Sequence, residues 1–125
     1  MIALRTDRLG AMTVLAALGL ISCGKQDWRT QTIANAETQM RSEVGDPAAQ
    51  FSRVQVTGDD KTGQTCGYIL VSPRSGASGQ TDRFIVYIDQ SAGPFVEGDR
   101  GQHPMAQQAF DQAWQGDCVS EGYAS

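Results

Sequence analysis

The sequence predicts an α+β domain: an N-terminal helix, a small three- to four-stranded antiparallel sheet, and a C-terminal helix joined to the sheet by a disulfide. Three observations carry this. Apolar side chains recur at helical spacing over residues 27–44 and again from Ala106 to Cys118. Between them lie three short segments of alternating or continuous apolar character, at 51–57, 64–72 and 82–90, separated by runs of Gly, Asp, Ser and Pro. Of the three cysteines, one falls in the second of those segments and one at the end of the second helical stretch.

Each element has its local reason. In the first helix Ile33, Ala36, Met40 and Val44 form one narrow stripe that must be laid against something else, because a single short helix is marginal in water. Gly45-Asp46-Pro47 ends it, glycine accepting a left-handed conformation and proline refusing to continue the ladder. Residues 51–57 set Val54 and Val56 against Arg53 and Gln55, the pattern of a half-buried strand. A turn through residues 58–63 leads to the second strand, with Cys66, Tyr68 and Leu70 on one face and Ile69 and Val71 on the other. After a Gly/Ser-rich connection at 73–81 comes the third strand. Its Phe84, Val86 and Ile88 alternate with Ile85 and Tyr87, so it is expected to be central and covered on both sides. Phe95-Val96 reads as a short edge strand. Pro104 suits the first position of the last helix, with His103 or Gln102 as its cap and an end near Gly116. Cys118 then lies on the inward face, where a bridge to Cys66 fastens this helix to the second strand.

Composition excludes some function classes. The 125 residues carry ten Lys+Arg against 14 Asp+Glu, a net charge of −4, which removes the phosphate attraction on which nucleic-acid binding depends. One histidine and three widely spaced cysteines do not make a zinc or haem motif. No P-loop, dinucleotide fingerprint or nucleophile elbow is present. Asp89, Ser91, Glu97 and Asp99 share one loop, but an EF-hand register starting at Asp89 puts Pro94 where glycine is required and Arg100 where the bidentate Glu belongs. No metal or cofactor is expected. A small hydrolase built from Asp89, Glu97, Asp99 and His103 is the least favoured reading.

The N-terminus reads as an address. Arg5 and Arg8 precede an uncharged run from residue 9 to 21, which as a helix spans about 20 Å, short of the roughly 30 Å hydrocarbon core. Leu20-Ile21-Ser22-Cys23 follows at once and resembles the lipobox of bacterial lipoproteins. That resemblance implies a diacylglyceryl thioether on Cys23 and removal of a signal peptide over residues 1–22 by cleavage after Ser22. Residues 23–26 then form a tether, and 27–125 a single folded domain. Several acyl chains at about 0.8 kcal/mol per buried methylene hold a protein durably where one chain does not. Gly24 stands at the position after the cysteine where Asp would retain a lipoprotein in the inner membrane. The resemblance therefore implies the outer membrane, facing the periplasm. Loss of Arg5, Arg8 and Asp7 with the signal leaves a net charge of −5.

In such a compartment disulfides persist, and Cys66 and Cys118 are the two thiols left to pair. Closing that loop is worth roughly 4 kcal/mol by chain entropy. A second pattern, Asp46-Pro47, Phe51, Val54, Cys66-Gly67, Gly79 and Arg83-Phe84, is similar to a group of small bacterial secreted proteins and lipoproteins. It implies an extracytoplasmic module and no activity. The connection before Arg83 is longer here than a tight hairpin requires. A third comparison is with periplasmic lysozyme-inhibitor lipoproteins, whose recognition loop has Ser and Gly followed by a basic and an aromatic residue. Ser75, Ser78 and Arg83 are the corresponding candidate interaction loop, at a spacing several residues off. The expectation is a non-enzymatic, lipid-anchored envelope protein that binds another envelope component and no nucleic acid, with the enzyme-inhibitor role as alternative.

Overall fold

The computed structural model describes residues 27–72, 79–98 and 100–124. Cys23, the signal and tether segments, Ser75, Ser78 and Asp99 lie outside them. Helix α1 (Trp28–Val44) starts at Asp27, whose side chain accepts the Arg29 amide at 3.2 Å. It closes at Gly45, with φ +67°, where the Gly45 and Asp46 amides return to the Ser42 and Arg41 carbonyls at 3.2 and 3.0 Å. This double closure needs a left-handed residue, which explains the glycine. Asp46 then does two jobs. It accepts the Ala48 amide at 2.9 Å, shaping the turn, and the Ser72 amide at 2.7 Å, tying that turn to the end of the second strand.

Strands β1 (Gln50–Thr57), β2 (Gln64–Leu70), β3 (Thr81–Tyr87) and β4 (Phe95–Val96) form one antiparallel meander in sequence order. Helix α2 (Gln107–Ala113) runs on as a π-helical turn, Trp114–Val119. The two helices cover opposite faces of the sheet. Ala36 and Met40 of α1 pack on Ile69, Phe84, Val86 and Val96; Phe110, Trp114 and Cys118 pack on Cys66 and Ile85 together with Tyr123. This is why β3 is apolar on both sides: Phe84 and Val86 serve one core, Ile85 and Tyr87 the other. The disulfide between Cys66 and Cys118 has an S–S distance of 2.07 Å and a Cα–Cα distance of 6.1 Å. It links β2, an inner strand, to the C-terminal turn.

Three features differ from the expected pattern. In β1 the register slips between Ser52 and Gln55, where three steps on β1 oppose two on β2, from Tyr68 to Cys66. Arg53 sits at φ +51° in this bulge, its carbonyl accepting the Tyr123 hydroxyl at 2.8 Å and its guanidinium lying 4.9 Å from the Tyr68 ring. The bulge brings Phe51 and Val54 to the same core. The last helix starts at Gln107 after Ala106, not at Pro104, because residues 102 and 103 are held elsewhere by Glu43. Nor does it stop at Gly116. The wider turn carries Cys118 inward, and the Asp117 carbonyl accepts bonds from the Thr57 hydroxyl and the Gln64 amide.

Candidate functional site

Arg83 projects from β3 between two carboxylates of its own chain. Its Nη2 lies 2.8 Å from Glu97 Oε2 and 2.6 Å from Asp111 Oδ1, and its Nε 3.1 Å from Glu97 Oε1. The guanidinium stands 5.2 Å from the Phe110 ring and 5.4 Å from that of Trp114. The Glu97 hydrogen bonds hold its proton well above the ordinary arginine value, against the opposing effect of burial. Burial works to raise the Glu97 carboxyl, but the Arg83 side chain and amide and the Gln107 amide outweigh it and leave the group below its ordinary value. Asp111 is held down by the same guanidinium first, and by Gln107. Arg83 is thus the clasp of α2 on the sheet.

The other acidic candidates are also engaged. Asp89 accepts the Ser91 amide at 3.0 Å in a turn, which lowers its carboxyl. His103 Nδ1 lies 2.9 Å from both oxygens of Glu43, a buried carboxylate of α1 that also accepts the Gln102 and His103 amides. Asp89, Glu97 and His103 are therefore drawn to three different partners. Asp82 meets Arg100 at 2.8 Å, with burial raising its carboxyl. The Tyr87 phenol, pushed up by burial and by its bond to Asp117, points to the α2 side. Among the described residues there is no group of three or more His, Cys, Asp or Glu that could hold a metal.

A concave feature lies on the opposite face. A groove of about 420 Å³ runs between α1 and the end of β3, with Thr32, Asn35, Thr38 and Gln39 on the helix side and Val86, Ile88 and Gln90 on the strand side. Among the described residues its lining carries no charged side chain. Thr65 belongs to it, fully buried, its Oγ1 without a hydrogen-bond partner among the described residues. A buried hydroxyl in that state costs about 1–3 kcal/mol. The volume falls in the range of about 300–1,000 Å³ typical of small-ligand sites. In the sequence these residues carry no motif. The one signal for them is the polar row Thr32, Asn35 and Gln39, spaced three and four apart beside the apolar stripe of α1.

No protein-family model, curated protein or solved structure matches this chain.

Proposed function

We propose that the protein is a non-enzymatic, lipid-anchored component of a bacterial cell envelope. Cys23 holds it at the periplasmic face of the outer membrane, and the groove between α1 and β3 binds another envelope component. The observation that carries the binding role is the groove itself, a concavity of ligand size lined by hydroxyls, amides and aliphatic groups. The envelope location rests on the lipobox resemblance of Leu20-Ile21-Ser22-Cys23. It gains support from the Cys66–Cys118 geometry, since such bridges persist in oxidising compartments. The similarity of the Asp46-Pro47 to Arg83-Phe84 pattern to small secreted bacterial proteins points the same way.

A photo-crosslinking residue placed at Gln39 in cells tests the role, with the same residue at Ser120, on the far side of the sheet, as control. A discrete adduct formed from position 39 and not from 120, in the membrane fraction, is the expected result. Equal adducts from both positions, or none from 39, would overturn the proposal. Cys23→Ser is expected to release the protein from membranes; a variant that still sediments with them contradicts the anchor.

A further inference from the structure

The geometry points to an extended, uncharged peptide segment as the occupant of the α1–β3 groove, an assignment that rests on the binding role proposed above. The polar row on α1 alternates in hydrogen-bonding character. Thr32 and Thr38 donate their hydroxyl protons to the Trp28 and Ala34 carbonyls at 2.9 and 3.1 Å, so they offer a ligand only acceptor lone pairs. Asn35 accepts the Gln31 amide at 3.4 Å through its oxygen, which leaves its NH₂ as a donor. Gln39 supplies both kinds of group. A peptide backbone presents the same alternation of N–H and C=O.

Spacing agrees with this. Asn35 and Gln39 are one helical turn apart, about 6 Å along the axis, and an extended chain repeats the same backbone edge every two residues, about 6.6 Å. From Thr32 to Gln39 the row is about 10 Å long, room for roughly three extended residues. Val86 and Ile88 form an apolar wall for small side chains. A charged ligand would lose its hydration there without a counter-charge. Tyr87 contributes to the lining, but its ring packs against Phe95 in the core under the other face, so stacking is not what the groove offers first.

The test uses the full ¹⁵N-labelled chain, titrated with acetylated and amidated hexapeptides of Ala, Ser, Thr and Val. Parallel titrations use the same peptides with a central Lys or Asp, and the N-acetylglucosamine trimer. Uncharged peptides are expected to shift the Asn35 and Gln39 side-chain amide signals saturably. The double variant Asn35→Ala/Gln39→Ala is expected to weaken binding about tenfold, the loss of two sets of amide hydrogen bonds. Neither site is buried, and alanine is a good helix former, so the fold is expected to survive both changes. No response to peptides, an unchanged affinity in the double variant, equal binding of the charged peptides, or a response to the trimer alone would each overturn the peptide assignment. A specific cellular adduct from position 39 combined with any of these results leaves the binding role standing and removes only the ligand class.

Discussion

Breaking the Cys66–Cys118 bridge tests how this small domain is held together. The two cysteines are 52 positions apart, and both are fully buried between β2 and the C-terminal π-helical turn. In the chain-entropy account, opening a loop of that length returns to the unfolded state about 14 cal/mol/K, or about 4 kcal/mol at room temperature. Net stabilities of small domains run only about 5–15 kcal/mol. At roughly 4–8 °C per kcal/mol for a domain of this size, the melting temperature is expected to fall by roughly 15–30 °C. The assay is thermal unfolding followed by circular dichroism, on the oxidised protein, on the same protein with the bridge reduced, and on Cys66→Ala/Cys118→Ala. Reduction leaves the packed volume almost unchanged, so it isolates the cross-link from the cavity that alanine adds. A fall of less than about 5 °C on reduction would refute the reasoning, because the π-helical turn would then be held by packing alone.

Three further outcomes follow from named contacts. Glu43→Gln replaces a buried acceptor of two backbone amides and the His103 ring by a group with only one acceptor oxygen; we expect a loss of about 2 kcal/mol in urea unfolding, and an unchanged midpoint would contradict it. Thr65→Val removes a buried hydroxyl without a partner and is expected to raise stability by about 1 kcal/mol, so a lower melting temperature would show that the hydroxyl is satisfied in solution. Glu97 and Asp111 are held below their ordinary values of 4.5 and 3.8. Their contribution is complete above those values and is lost as pH falls through the lower folded-state ones, whereas Asp82, raised by burial, gains on acidification. Melting curves from about pH 7 to about pH 3 should therefore fall less steeply in Arg83→Gln than in the parent, and parallel curves would refute the assignment.

Much of the fold is legible in the sequence because it is written in local spacing. The α1 stripe, the Gly45 stop and the alternation of Phe84 to Tyr87 all act within a few residues, and the two-sided apolar pattern of β3 announces a strand covered on both faces. The features that escape are set by distant partners. Arg53 adopts a left-handed backbone where its carbonyl meets Tyr123, 70 positions away. The spacing of Phe51, Val54 and Val56 does carry a trace of the bulge, since it breaks a strict period of two. His103 and Gln102 are drawn off the last helix by Glu43, which no pattern near Pro104 could indicate. The continuation past Gly116 depends on the Thr57 hydroxyl and the Gln64 side-chain amide, which donate to the Asp117 carbonyl of the wider turn. The groove is less legible still: Thr65 and Asn35 become neighbours only once α1 lies across the sheet, and neither is distinctive where it stands in the chain.

Intact-mass spectrometry of the protein purified from membranes under non-reducing conditions tests the central claim most directly. The expected species is a chain beginning at Cys23, carrying the added mass of a diacylglyceryl group, and two hydrogens lighter than its fully reduced form. A chain retaining Met1, unacylated and with free thiols at Cys66 and Cys118, would contradict it.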